Sequence, residues 1–119
     1  MELLIYLVAL HFLLDFPLQG DWLSTTKNPN VDRLATTDED GNVIPGESIW
    51  FSSLFGHSYI HAAGVYFLTQ NILLFASELM FHFIIDYAKC KKAFGYNVDQ
   101  LLHISCKFFY LWLLYMGIV

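Results

Sequence analysis

The chain has 119 residues, of which 56% are hydrophobic and only 14% are charged, and its mean hydropathy is +0.48. This composition excludes an intrinsically disordered protein, a collagen-like fibre and a small secreted domain held by disulfides, and the length leaves room for one domain, residues 1–119. The net charge is −5 and the six basic residues form no stripe along one helix, which argues against a nucleic-acid ligand.

The hydrophobic pattern predicts an all-α chain. Pro17 ends the first helix, and Asn97 is expected to cap the last one, with Gln100 in the capping-box position. The predicted helices cover about 2–16, 48–68, 71–91 and 98–118.

The first two helices are joined by the one polar segment, residues 20–47, which holds six acidic residues. Within it, the sequence LATTDEDGNVI favours a small hairpin that closes on Asp40-Gly41. Its acids are typical of a solvated loop, and its role as a lid, a partner site or a plain connection stays open.

Several features favour a bilayer over a soluble core. Residues 48–77 contain no Asp, Glu, Lys or Arg, and residues 108–119 are almost wholly apolar. Trp22, Trp50 and Trp112 lie near predicted helix ends, where an interfacial belt is expected. The N-terminal run lacks the basic region and cleavage site of a signal peptide. We therefore expect a four-helix transmembrane bundle with a polar loop between helices 1 and 2.

All five histidines stand four residues from an acid or from another histidine, and each predicted helix carries one such pair. Residues four apart share one helix face, so both side chains of a pair can point at the same place. In an up-down bundle, three of the pairs lie at the same end. The His57 and His61 pair reaches that level only if its helix starts late, near Ser52.

Imidazole and carboxylate groups at this spacing are metal ligands in helical bundles. Ionisable groups cost about 2.5–3.5 kcal/mol each at a bilayer centre, which makes an inward-facing cluster a functional hypothesis. Two blander interpretations stay open: Asp99 suits a helix start by the dipole alone, and a buried histidine is often only hydrogen-bonded. The eight candidate ligands are His11, Asp15, His57, His61, His82, Asp86, Asp99 and His103.

Eight ligands exceed the four of one structural zinc and suit a centre of one or two divalent ions. A ligand set without thiolate favours zinc, manganese or iron over copper(I). Two ions bound together favour hydrolysis, because they can hold a phosphoryl oxygen and activate water. Cys90 and Cys106 form no C-x-x-C motif and predict neither a zinc ribbon nor a redox pair.

Four segments together resemble a known family. They are HFLLDFPLQGDW at 11–22, HSYIH at 57–61, ELMFHFIIDYAK at 78–89 and DQLLH at 99–103. The chain resembles a bacterial and phage family of small integral-membrane proteins of unknown function. More distantly, its layout is similar to that of membrane-bound metal-dependent hydrolases. The resemblance spans the chain except residues 24–47, implies no particular reaction, and adds as motif positions Gln19, Asp21, Lys89 and Gln100.

These observations predict a membrane-embedded metal-dependent hydrolase acting on a phosphoester or a lipid-like small molecule. Asp21 or Glu78 is a candidate catalytic base or support for a ligand, and Lys89 is a candidate partner for a phosphate or oxyanion. Glu78 equally suits support of His82 or neutralisation of a lysine. The basic residues flanking the site predict that it faces the cytoplasm, at a bacterial inner membrane; they are Lys27, Arg33, Lys89, Lys91 and Lys92.

Two other classes of function stay open. The polar cluster could be a metal or proton transport path that continues through Lys107, one turn beyond His103, and so small a chain would then have to form a homo-oligomer. Alternatively, the cluster could be a structural metal site or a hydrogen-bonded lock in a non-enzymatic protein that binds a membrane partner.

Overall fold

The computed structural model describes residues 1–119 and contains five α-helices and one small β-hairpin. The all-α prediction is confirmed, but the number of helices is five and not four, because a short helix follows the first one. The elements in chain order are α1 (Glu2–Asp15), α2 (Gly20–Thr26), β1 (Thr36–Thr37), β2 (Val43–Ile44), α3 (Trp50–Thr69), α4 (Ile72–Cys90) and α5 (Tyr96–Tyr115).

The four long helices form a closed ring. Contacts run from α1 to α3, from α3 to α4, from α4 to α5 and from α5 back to α1, while α2 packs on α3. The links of residues 70–71 and 91–95 are short, as expected for antiparallel neighbours in an up-down bundle. The interior of this ring is therefore lined by one face of each long helix.

The chain turns sharply between α1 and α2, whose axes differ by 86°. Pro17 follows α1 and prevents its continuation, and Gly20 opens α2 with a left-handed φ of +62°. The sequence did not predict α2 because it has only seven residues and ends in hydroxyl side chains, which are typical of loops. In the helix, the Thr25 hydroxyl instead donates to the Asp21 carbonyl at 2.7 Å.

The predicted cap of the last helix is wrong. Helix α5 begins at Tyr96 with Gly95 at the cap position, so Asn97 lies inside the helix. The Gln100 side chain donates hydrogen bonds to Asp15 and Asp99 in the bundle interior, and it does not bond to the backbone at the start of α5. By contrast, Asn71 does cap α4, accepting hydrogen bonds from two backbone N–H groups.

The hairpin predicted within the polar segment is present. Strands β1 and β2 pair antiparallel, with Thr36 opposite Ile44 and Thr37 opposite Val43. The intervening loop covers residues 38–42 and is longer than the two-residue Asp-Gly turn that the sequence favoured.

Asp38 holds the hairpin loop together. Its Oδ1 accepts hydrogen bonds from the backbone N–H groups of Asp40 at 3.0 Å and Asn42 at 2.8 Å. The bond from the Asn42 backbone contributes most to lowering the pKa of the Asp38 carboxyl below its ordinary value. Gly41, with a φ of +84°, completes the turn.

The bundle interior is unusually polar. Of the 20 buried residues, 14 are polar or charged, whereas the core of a soluble domain is mostly apolar. The buried apolar cluster is confined to one end of the bundle and consists of Leu7, Val65, Leu74 and Tyr110.

The outer surface of the bundle is correspondingly apolar, with large hydrophobic side chains exposed on every long helix. No single helix has both the length and the hydropathy expected of a membrane span. Helices α1 and α2 reach those values only when taken together as a bent pair.

Candidate metal centre

The structure brings all eight candidate ligands into one cluster inside the ring of helices. The last turn of α1, the middle of α3, the second half of α4 and the first two turns of α5 each contribute two side chains. Seven of the eight residues are buried, and the Asp15 side chain is only 7% exposed. The metal-centre cluster consists of His11, Asp15, His57, His61, His82, Asp86, Asp99 and His103.

The predicted difficulty with the α3 pair does not arise. Helix α3 begins at Trp50, two residues before the start near Ser52 that we expected to be necessary. Two residues shift a helix by about 3 Å along its axis, which the length of an imidazole side chain can absorb. Both His57 and His61 therefore reach the cluster.

Asp15 lies at the centre of one half of the cluster. Its Oδ1 is 3.2 Å from His57 Nε2, 3.1 Å from His61 Nε2 and 3.9 Å from His82 Nε2. Its Oδ2 is 3.5 Å from His11 Nε2. Four imidazoles from three helices thus direct the same nitrogen, Nε2, towards one carboxylate.

Asp86 and Asp99 form the other half. Asp86 Oδ2 is 3.5 Å from His57 Nε2 and 3.8 Å from His82 Nε2, and its Oδ1 is 3.4 Å from His103 Nε2. Asp99 Oδ1 lies 3.6 Å from the same nitrogen of His103. His57 and His82 therefore lie between the Asp15 half and the Asp86 half.

Several of these converging atoms lack a hydrogen-bond partner. His61 Nε2, His82 Nε2 and Asp99 Oδ1 are buried and unpaired, although His61 Nε2 lies close to Asp15 Oδ1. Buried polar atoms are ordinarily paired, so these atoms call for an explanation. A cation bound between the imidazole nitrogens and the carboxylates would satisfy these unpaired atoms.

Three overlapping groups within the cluster could hold a metal ion, because in each group the ligand atoms lie within 4.8 Å of one another. Asp15, His82 and His103 each belong to two groups. The largest group has four ligands, the number that structural zinc prefers. The groups are Asp15 with His57, His61 and His82; His11 with His82 and His103; and Asp15 with Asp99 and His103.

Two lysines neutralise the carboxylates that face the end of the bundle. Lys27 Nζ lies 2.5 Å from Asp86 Oδ2, and Lys89 Nζ lies 2.8 Å from Asp99 Oδ2. The Lys27 ammonium also donates to Gln19 Oε1 at 2.7 Å. Asp86 belongs to none of the three groups, consistent with its close pairing to Lys27.

Gln100 links two of the carboxylates. Its Nε2 donates to Asp15 Oδ2 at 2.9 Å and to Asp99 Oδ2 at 3.1 Å, and its Oε1 lies 3.4 Å from His11 Nε2. The motif position identified in the sequence is thus a contact residue of the cluster, and it fixes the orientation of both acids.

Glu78 lies behind the cluster. Its Oε1 is 3.4 Å from His82 Nδ1, the nitrogen that points away from the other ligands. The same carboxylate pairs with Lys107 and accepts a hydrogen bond from the Tyr110 hydroxyl at 2.8 Å. Glu78 therefore both contacts His82 and neutralises a lysine, and it does not face the space between the ligands as a catalytic base would.

The other candidate catalytic residues lie at or beyond the edge of the cluster. The structure does not bring Asp21 to it, because α2 turns away from α1 and exposes the start of its first turn; the Asp21 side chain forms no hydrogen bond or ion pair. Lys89 is 31% exposed and is held at the mouth by Asp99. The sequence indicated Lys27 only as a basic residue flanking the site. Its contact with Asp86 was not predicted, since Lys27 lies in the predicted loop and has no partner four residues away.

Comparison of the chain with protein-family models, with curated proteins and with solved structures found no match. The family resemblance carried by the motifs therefore stays a prediction.

Proposed function

We propose that this chain is a membrane-embedded, metal-dependent hydrolase that acts on phosphoesters. One observation carries the proposal: five imidazole Nε2 atoms and three carboxylates converge in the buried interior, and several of them have no other partner. A purely structural hydrogen-bonded lock would be expected to satisfy those atoms.

The ligand set suits one or two divalent ions. Imidazole and carboxylate without thiolate favour zinc, with manganese or iron as alternatives. A cation held there would act as a Lewis acid on a phosphoryl oxygen and would activate water. Hydrolysis places a hydroxyl group on phosphorus, breaks the ester P–O bond and transfers a proton to the leaving oxygen. Lys89, at the mouth, is the candidate partner for the phosphate charge.

The distribution of polar side chains supports a place in the membrane. On the four long helices, every charged residue except Glu2 is buried or partly buried, and large apolar residues lie outside, an arrangement expected when the surrounding solvent is lipid. Helices α3, α4 and α5 have 19 or 20 residues, and so are about 30 Å long, close to the thickness of a bilayer core.

The two ends of the bundle differ in a way that favours an enzyme over a transporter. At one end lie the cluster and the basic residues that predict a cytoplasmic orientation. At the other end, the polar interior stops at Tyr110, which packs with Leu7, Val65 and Leu74 in an apolar layer. A transport path would need polar groups through that layer, so the site is served from one side.

Activity and metal content test the chemistry. The purified protein, loaded with zinc, would be assayed with p-nitrophenyl phosphate and with bis(p-nitrophenyl) phosphate, before and after chelation. We expect hydrolysis of at least one ester that is lost on chelation and restored by zinc, and that is absent in His61→Ala. Tyr59→Ala removes a ring from the exposed face of the same helix and should retain activity. Hydrolysis that survives chelation or persists in His61→Ala would contradict the proposal.

Membrane placement is tested separately. After expression in bacteria, we expect the chain to stay in the membrane fraction through washing with alkaline carbonate and to be released only by detergent. Recovery in the wash would contradict the membrane part of the proposal without bearing on the metal centre.

A further inference from the structure

An open groove of about 420 Å³ lies on the outside of the bundle between α2 and α3. Its walls are largely apolar and include Trp22 and Leu23 of α2 and Ile60 of α3. His57, a member of the cluster, forms part of its lining. It therefore places apolar surface next to one of the candidate metal ligands.

A positive charge lies near this groove. Lys27 directly follows α2, one turn after Leu23, and its ammonium binds Asp86, whose Oδ2 is 3.5 Å from His57 Nε2. Lys27 is 5% exposed, so this charge is sheltered from solvent. Lys27 does not itself line the groove. The groove thus offers largely apolar walls and one candidate metal ligand, His57, with a buried cation behind it.

A compact hydrophilic ester would not need such a groove. The cavity under the polar segment, about 180 Å³ in volume and lined by Arg33 and Asp32 among others, contains no member of the cluster. The groove between α2 and α3 matches instead a molecule with an anionic head and a hydrocarbon tail.

We propose that the substrate is an alkyl phosphate amphiphile, whose phosphate reaches the His57 and Lys27 end while the first part of its chain lies between Trp22 and Ile60. The inference rests on the proposed function and specifies its substrate class. Inorganic phosphate carries the same charged group as the head of the amphiphile. Binding that depends on the alkyl chain therefore distinguishes the amphiphile from inorganic phosphate.

Gly56 provides a sharp test, because it lines the groove and a Cβ added there meets no atom within 4 Å. Gly56→Leu should fill the groove without disturbing α3, since leucine is a better helix former than glycine. The matched control is Ser105→Leu, on the exposed face of α5, in an apolar groove with Leu102 and Phe109 that contains no cluster residue.

The proteins would be loaded with zinc in phosphatidylcholine nanodiscs, with Trp50 and Trp112 replaced by phenylalanine so that Trp22 reports alone. Binding of a bromine-bearing hexadecyl phosphate would be followed by quenching of Trp22, and binding of inorganic phosphate by calorimetry. We expect saturable quenching that inorganic phosphate competes away. In Gly56→Leu the affinity for the alkyl phosphate should fall at least tenfold, with zinc content and inorganic phosphate affinity unchanged, and Ser105→Leu should match the parent.

Equal alkyl phosphate affinity in Gly56→Leu and its parent, with zinc bound in both, would overturn this inference and leave the proposed hydrolase standing. Equal quenching by bromine-bearing hexadecanol would overturn it too, because the head group would then contribute nothing. Absence of zinc from the parent protein would instead overturn the proposed function on which the inference rests.

Discussion

Lys27 Nζ lies 2.5 Å from Asp86 Oδ2, and this buried ion pair joins the end of α2 to α4 across 59 positions of sequence. It fixes the short helix over the metal-centre cluster, and it supplies the positive charge nearest to Asp86. The cluster and the polar segment are therefore connected by a single interaction between charged groups.

Replacing Lys27 should expose the energetic role of this pair. Lys27→Met leaves a buried carboxylate without its counter-ion, and such a change typically costs about 3–5 kcal/mol. We expect a large drop in the thermal stability of the metal-free protein and a smaller drop after zinc is added, because the bound cation partly neutralises Asp86. Thermal unfolding with and without zinc measures both effects.

The control for that experiment is Lys91→Met, which removes an exposed lysine near the same end of α4. It should change stability little in either state. Equal stability of Lys27→Met and Lys91→Met in metal-free protein would show that the Lys27 pair does not hold α2 in place.

The pair formed by Glu78 and Lys107 should behave as a unit. Glu78→Gln leaves the buried Lys107 ammonium without its counter-ion, and Lys107→Met leaves the carboxylate alone. We expect each single variant to be less stable than the double variant, since the double removes both charges. Denaturation of all four proteins completes the cycle, and additive losses would contradict this coupling.

Glu78 should also affect metal binding, because it contacts His82 Nδ1 and so orients the opposite nitrogen. Loss of such a supporting contact commonly lowers metal affinity about 10–100-fold. In the double variant, where the stability penalty is relieved, zinc affinity measured by chelator competition should still be weakened. Affinity equal to that of the wild type would limit Glu78 to a purely structural role.

Gly64 of α3 packs against the Leu10 side chain of α1. A Cβ at this position would lie 2.6 Å from Leu10 Cδ2, whereas one at Gly56 on the same helix meets nothing within 4 Å. Both substitutions to alanine gain the same helix propensity, so their difference isolates the clash. We expect Gly64→Ala to be less stable than Gly56→Ala by about 1 kcal/mol in unfolding experiments, the low end of overpacking costs, because only the end of the Leu10 side chain has to move. Equal stability would mean that Leu10 moves aside at no cost.

The eight cluster residues could be predicted because their signal is local. A spacing of four residues fixes two side chains on one face of a helix whatever the rest of the chain does. His82 and Asp86, for example, are placed together by α4 alone. The short links between helices then set the antiparallel order, which brings the pairs to one level.

The remaining parts of the site depend on contacts between distant segments. Lys27 reaches Asp86 only because the chain turns at Gly20 and packs α2 on α3. A helix of seven residues is too short to give a periodic pattern from which it could be predicted. For Glu78, the sequence left two interpretations open: support of His82 and neutralisation of a lysine. In the structure it does both, because its carboxylate contacts His82 and pairs with Lys107. Asp21 lies in the same sequence motif as the ligands His11 and Asp15, but its side chain is exposed at the start of α2.

Metal content of the purified protein tests the central claim most directly. His82 belongs to two of the three groups that could hold an ion, and Tyr59 lies on the exposed face of α3. Elemental analysis should find about one to two zinc ions per chain in the wild type and in Tyr59→Ala, and clearly less in His82→Ala. Wild-type protein without bound metal after exposure to zinc, or His82→Ala with the full wild-type content, would contradict the account.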